Sequence, residues 1–152
     1  MKIVSPSKKC IDFIKSHEGF RVDAYLCPAG VWTIGYGTTF YPSGVKVKKG
    51  DTCDIDTALM YLKYDIKIFS QKVDSFTTDQ VNQNQFDALV SFAYNVGTEA
   101  LRKSTLLKLV NANPNDQRIR KEFQKWIYAD GKKSGGLIKR RQDEANIYFT
   151  PL

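Results

Sequence analysis

Between Asp23 and Lys46 the chain runs for 22 residues, AYLCPAGVWTIGYGTTFYPSGV, without one charged side chain. Such a run is long enough to span a bilayer, but Pro28, Pro42 and four glycines exclude a membrane helix. Its β-branched and aromatic residues are punctuated by Pro28-Ala29-Gly30, Gly35, Gly37 and Pro42-Ser43-Gly44. That pattern predicts a small three-stranded antiparallel sheet over about Val22–Val47.

What flanks this stretch is charged, and unevenly so. The 152 residues carry a net charge of +7. Residues 1–50 hold eight basic and three acidic side chains, residues 51–100 three and eight, and residues 101–152 twelve and five. A basic surface favours an anionic partner, whether nucleic acid, anionic lipid or an acidic wall polymer. The acidic middle argues against a uniformly coated nucleic-acid binder. With 42% apolar and 26% charged residues the chain can bury a core and is of a length for one domain. The start, MKIVSPSKKCIDFIKS, lacks the apolar centre of a secretory signal, so synthesis in the cytosol is expected. Cys10, Cys27 and Cys53 have no CxxC spacing and fit neither a disulfide framework nor a zinc site. His17, the single histidine, excludes a His-rich metal centre.

The remaining signals are helical. Ser5-Pro6 or Ser7 is expected to cap a helix running to about His17, with Gly19 stopping it. Asp54 or Asp56 starts a helix to about Phe69, burying Leu59, Leu62, Ile66 and Phe69. Thr77 or Thr78 caps another, whose Phe86, Leu89, Val90, Ala93 and Tyr94 recur at helical spacing until Gly97 ends it. Ser104 caps a short helix through Val110, and Asn113-Pro114 starts one towards Trp126. A loop over about Asp130–Gly136 leads to a basic last helix near Leu137–Phe149. The expected fold class is α+β: a sheet lobe over roughly 18–60, a helical lobe over roughly 61–152 joined by the first helix, and a cleft between them.

Glu18 closes the first helix just ahead of the sheet. A carboxylate there among apolar neighbours is suited to a raised pKa and general-acid work. Cys27 follows at a turn and Thr33 in a strand, giving E-x8-C-x5-T continued as T-I-G-Y-G. Hairpin geometry would fold both towards Glu18 and leave room for a sugar and a water. Gly35 and Gly37 would let a polymer approach the backbone. From spacing alone the signal is weak, because a glutamate after a helix is usually a solvated residue.

Three segments carry a resemblance. HEGFRVDAYLCPAGVWTIGYGTT is similar to the active-site segment of the T4-type phage lysozymes, glycoside hydrolase family 24, and looks most like their lambdoid-phage endolysin branch. QFDALVSFAYNVG, followed by STLLKLVN, resembles the same family's F.AL.SF.YN.G helix. Trp126 with GLIKRRQDE resembles its closing W…GL..RR..E segment. Together they cover most of the chain in the family's order.

The resemblance implies a lysozyme-like fold and a muramidase that cleaves the β-1,4 bond between N-acetylmuramic acid and N-acetylglucosamine in peptidoglycan, lysing the host. Glu18 falls on the family's general acid and Thr33 on the threonine that holds the attacking water. Cys27 stands where the best-known members have aspartate, although cysteine is common in this branch. It then serves as a thiolate base or nucleophile, as a neutral thiol that orients water, or only fills the space. Thr39, Tyr94, Asn95 and Thr105 match substrate-binding positions. Asp23 is expected to face water. Trp126 is expected in the core or lining the cleft, and Arg140 or Arg141 to be solvated, salt-bridged or paired with Glu18. Acid–base glycoside hydrolysis requires no metal or organic cofactor. The expected partners are the peptidoglycan polymer and a separate holin, with no nucleic acid, no stable membrane insertion and a monomeric chain. The enzyme would wait in the host cytoplasm until permeabilisation admits it to the periplasm and wall. Three other readings stay open: an inactive wall-binding descendant, a basic nucleic-acid-binding helical domain, and a lytic transglycosylase releasing anhydro-sugars.

Overall fold

The structure, a computed structural model, describes residue 3 and residues 5–152. Met1, Lys2 and Val4, part of the N-terminal run considered above, lie outside the described residues. The chain divides into two compact units. One comprises residues 11–68, and the other joins the residues up to Cys10 to residues 69–152.

The first unit holds most of helix α1 (Lys8–Glu18), strands β1 (Arg21–Leu26) and β2 (Trp32–Gly35), and the front of helix α2 (Ile55–Phe76). Ser7 caps α1 by accepting a hydrogen bond from the Cys10 amide at 3.2 Å. The strands pair antiparallel, Tyr25 opposite Thr33 and Leu26 opposite Trp32, with an irregularity between Arg21 and Tyr25. The expected third strand is not a ladder. Residues 38–47 fold back on themselves, with Tyr41 N–H donating to Val45 O at 2.9 Å and Gly44 N–H to Tyr41 O at 2.8 Å. Pro42 has no N–H with which to extend a strand. The free edge of β1 instead bonds to residues 51–53, through Ala24 N–H to Asp51 O and Cys53 N–H to Val22 O. These bridges stand in for the third strand, so the sheet is smaller than expected and its place in the fold is as expected.

β2 reverses through Gly35-Tyr36-Gly37, and Ile34 and Thr38 exchange two N–H to carbonyl bonds of 2.9 Å. Gly35 has φ +64°, and a Cβ there would lie 2.9 Å from the Ala58 Cβ on α2. The space its missing side chain leaves is therefore used inside the fold. Asp54 caps α2, accepting from the Thr57 amide at 2.7 Å. The helix runs past the expected end at Phe69 because its buried stripe continues: Ala58, Leu62, Ile66, Ser70 and Val73 are all buried.

The second unit is helical: the end of α2, then α3 (Gln83–Val96), α4 (Thr98–Lys103), α5 (Thr105–Ala112), α6 (Ile119–Gln124), a hairpin of β3 (Tyr128–Ala129) and β4 (Lys132–Lys133), and α7 (Gly135–Tyr148). Neither Thr77 nor Thr78 caps α3. Asn82 does, in a reciprocal box with Gln85, while Thr77 donates back to Val73 O at the end of α2. Gly97 ends α3 and Ser104 caps α5, as expected. α6 begins five residues beyond Pro114, because Asn113 and Asp116 take up the intervening amides of Asn115 and Arg118 in turns. The loop expected at Asp130–Gly136 contains a hairpin with a two-residue Asp130-Gly131 turn, both at positive φ.

Nine consecutive residues of α3, Gln85–Ala93, are buried, so this helix forms the centre of its unit. Phe92 packs edge-on against Phe123 and Trp126. Its buried polar residues are all bonded: Asp87 accepts from the Ser7 amide at 3.0 Å and Gln83 at 2.8 Å, and Ser91 donates to Glu144 at 2.6 Å. Glu144 also pairs with Arg140 and Arg141 of its own helix, all three being buried. Among the described residues no helix is long and apolar enough to cross a membrane.

Two glycine substitutions separate backbone strain from crowding. Gly30 also has positive φ, but nothing lies within 4 Å of the Cβ it would gain. Gly30→Ala is expected to cost about 1 kcal/mol and Gly35→Ala about 2–4 kcal/mol, measured by urea unfolding.

Candidate active site

Glu18, Cys27, Thr33 and Thr39 all belong to the sheet-bearing unit. Glu18 is the last residue of α1 and is half-buried. Cys27 follows the end of β1, where its amide donates to Val31 O at 3.0 Å and its carbonyl accepts from the Gly30 amide at 2.8 Å. Side chains alternate along a strand and directly opposed residues share a face. Pairing Tyr25 with Thr33 therefore puts Tyr25, Cys27 and Thr33 on one face, and Leu26 and Trp32 on the other.

The electrostatics agree with this grouping. The Cys27 thiol is held below its ordinary pKa by the backbone around Val31, helped by the Ala29 backbone and by the Thr33 hydroxyl. Thr33 itself is buried, and its hydroxyl donates to Val31 O at 2.9 Å. Tyr25, which the sequence reading did not single out, reports on its neighbours. Burial pushes its phenol up, the Arg21 guanidinium opposes that, and the negative charges of Glu18 and Cys27 each push it further up. Arg21 lies 4.3 Å from the Tyr25 ring centroid. Glu18 and Cys27 thus act on one phenol from α1 and from the β1–β2 turn. This region offers a carboxyl group, an acidified thiol and a fixed hydroxyl.

Thr39 stands apart from that face. It lines a pocket of about 350 Å³ with Val31, Trp32, Phe40, Lys46 and others. Thr38, fully buried beside it, donates to Asp65 of α2 at 3.3 Å. Burial pushes the Asp65 carboxyl up to about 6, against the pull of that hydrogen bond. Sequence reading missed Asp65, whose neighbours along α2, Lys63, Tyr64 and Lys67, are all exposed. Asp23 is exposed, as expected.

Tyr94, Asn95 and Thr105 belong to the helical unit. Tyr94 stacks on Phe69 with ring centroids 5.0 Å apart. Asn95, one residue from the end of α3, accepts a hydrogen bond from the Arg141 guanidinium, which also bonds Glu144 and the Trp126 carbonyl. Arg140 bonds Glu144 and the Ser91 carbonyl. Thr105 is the exposed first residue of α5, behind the Ser104 cap. Trp126 is half-buried and both packs on Phe92 and lines a cleft with Asn95. All three cysteines are free; Cys10 is buried and Cys53 half-buried.

Comparison with known proteins gives consistent relatives. The family model described as phage lysozyme matches residues 15–144. The chain is 42% identical over 146 residues to an endolysin of Bacillus phage B103, covering 95% of this chain and 54% of that protein, so it spans about half of that relative's length. Among solved structures, an endolysin from Escherichia coli O157:H7 phage FAHEc1 is 40% identical, with a TM-score of 0.83 over 94% of this chain and 92% of that one. The muramidase domain of SpmX from Asticaccaulis excentricus is 32% identical, with a TM-score of 0.85 over 99% of this chain and 100% of that one. The fold is lysozyme-like.

Two measurements check the site's ionisation. Burial raises the thiols of Cys10 and Cys53, whereas that of Cys27 is lowered, so native-state alkylation near pH 7 is expected to modify Cys27 first and Cys10 last, read by peptide mass spectrometry. The folded state holds the proton of Asp65 more tightly than the unfolded chain does. Its contribution to stability is therefore fully present below about pH 4 and is lost as pH rises to about 6. Allowing for partial exposure, Asp65→Asn is expected to gain about 1–2 kcal/mol on wild type between pH 4 and 7 in paired denaturation curves.

Proposed function

Because the chain belongs to the phage lysozyme family, we propose that it is an endolysin that hydrolyses the β-1,4 bond between N-acetylmuramic acid and N-acetylglucosamine in bacterial peptidoglycan. The observation that supports this reading is that Cys27 and Thr33 share a strand face with Tyr25, whose phenol feels both Cys27 and Glu18 at the end of α1.

In this reading Glu18 protonates the leaving glycosidic oxygen as the anomeric carbon acquires oxocarbenium character. The attacking water is held by the Thr33 hydroxyl, whose bond to Val31 O fixes its rotor. Cys27 takes the water's proton or orients the water. Its lowered pKa gives it a larger thiolate fraction at neutral pH than an ordinary cysteine has. Thr39, Tyr94, Asn95 and Thr105 contact the glycan strand. The basic segments 1–50 and 101–152 draw the enzyme to an anionic wall. Delivery through a separate membrane-permeabilising holin is part of the same proposal.

The deciding experiment is mass spectrometry of the muropeptides released from purified wall. Hydrolysed reducing ends support the proposal; anhydro-sugars would identify a transglycosylase instead. Glu18→Gln is expected to lower kcat by about 10²- to 10⁴-fold. Cys27→Ser is expected to cripple turnover while Cys27→Asp keeps substantial activity. Equal clearing by wild type and Glu18→Gln would remove Glu18 from the mechanism, and wild-type rates in Cys27→Ala would make Cys27 passive.

A further inference from the structure

The face of β1 and β2 that turns away from Cys27 and Thr33 is apolar and uncovered. Leu26 and Trp32 share it through their register, and Leu26 is 55% exposed. Trp32 also lines the pocket of about 350 Å³, whose walls come from two neighbouring turns: Gly30 and Val31 from one, Thr39, Phe40 and Lys46 from the other. Val31 is 44% and Phe40 49% exposed. Single exposed apolar side chains are ordinary. Three large ones around one pocket, with a half-buried tryptophan among them, make a patch of the kind that marks a binding surface.

The charge along this segment has one sign. Residues 24–50 hold Lys46, Lys48 and Lys49 and no acidic side chain. Lys46 pairs with Phe40 in an antiparallel bridge, its ammonium 5.8 Å from the Phe40 ring centroid. All three lysines are exposed, and none has an ion pair among the described residues. The acids that the segment touches are engaged by its own groups: Asp51 accepts from the Tyr41 phenol at 2.6 Å and the Lys48 amide at 3.1 Å, and Asp65 from Thr38 at 3.3 Å. The turns also close their own backbone. Gly30 N–H donates to Cys27 O and Cys27 N–H to Val31 O, while Gly44 N–H donates to Tyr41 O and Tyr41 N–H to Val45 O. Pro28 and Pro42 carry no N–H at all. Turns with their amides occupied in this way enter a low-dielectric layer at little cost.

We propose that this tip of the sheet-bearing unit docks reversibly on an anionic phospholipid surface. Leu26, Val31 and Phe40 enter the boundary between headgroups and acyl chains, Trp32 lies at headgroup depth, and Lys46, Lys48 and Lys49 meet lipid phosphates. Exposed aliphatic side chains such as Leu26 and Val31 offer nothing to a sugar hydroxyl, whereas they gain by leaving water for lipid. No spanning segment is involved, and Cys27 and Thr33 stay on the opposite strand face. Thr39 lines the same pocket, so a docked molecule has its Thr39 contact to glycan covered. The inference goes beyond the muramidase reading and does not depend on it.

The test is flotation of the whole chain with vesicles of pure phosphatidylcholine, and with vesicles of equimolar phosphatidylcholine and phosphatidylglycerol. Binding is expected to the second only, weakening as salt is added. Two variants, Leu26→Ser with Phe40→Ser, and Lys46→Ser with Lys48→Ser and Lys49→Ser, are each expected to lower the partition coefficient by about tenfold or more. A control that removes the same charge from the helical unit, Lys103→Ser with Lys108→Ser and Lys121→Ser, is expected to lower it by less than about threefold. Hydrogen exchange on wild type, which needs no variant to fold, is expected to show vesicle-dependent protection at residues 26–32 and 38–47. No binding to the anionic vesicles, equal losses in the two lysine triples, or protection confined to other segments would overturn the proposal. So would a Leu26→Ser, Phe40→Ser chain that floats like wild type; if that chain also loses affinity for bare glycan strands, the pocket belongs to the glycan instead.

Discussion

The seat of Gly35 on α2 is the constraint on which the candidate site depends. Ala58 occupies the volume that a side chain at 35 would need, and the backbone there is at φ +64°. This contact fixes where β2 ends. Two residues before it is Thr33, and the register from Thr33 to Tyr25 decides the face on which Cys27 emerges. The relative placing of the Thr33 hydroxyl and the Cys27 thiol is thus referenced to a single close approach between a glycine and an alanine. Thr38 pins the far side of the same turn through Asp65, so the loop is held from two points on α2.

In the helical unit the comparable role falls to a buried carboxylate. Glu144 collects two guanidiniums and the Ser91 hydroxyl. Burying one acid with two arginines is costly unless every donor finds an acceptor, and here the spare donors of Arg140 and Arg141 reach the Ser91 and Trp126 carbonyls and the Asn95 amide oxygen. The network thereby does more than neutralise itself. It carries the orientation of the last turn of α3 to the loop that begins the hairpin.

Much of this was legible in the sequence, and the exceptions share a cause. Helix caps with local signatures, Ser7, Asp54, Gly97 and Ser104, lie where the sequence places them. The third strand did not form because Pro42 and the turn after it consume hydrogen bonds locally, while β1 found its other partner at residues 51–53, far along the chain. α2 outran its expected end because its buried stripe passes through Ser70, a residue that reads as surface until its surroundings are known. Asn82 displaced the threonines as a cap through a reciprocal bond with Gln85. Glu18, Cys27 and Thr33 stand out as candidates only through motif order, since their spacing alone does not separate chemistry from solvent exposure. Tyr25 and Asp65 gave no such signal: each matters through what three-dimensional packing puts beside it.

Cys27 has a consequence of a different kind. A carboxylate is inert to oxidants, whereas a thiol that is solvent-accessible and partly ionised is the form of sulfur that peroxide and disulfides attack. The turn that acidifies Cys27 therefore also ties the lifetime of this thiol to its surroundings. A reducing interior preserves the sulfur, and an oxidising exterior consumes it.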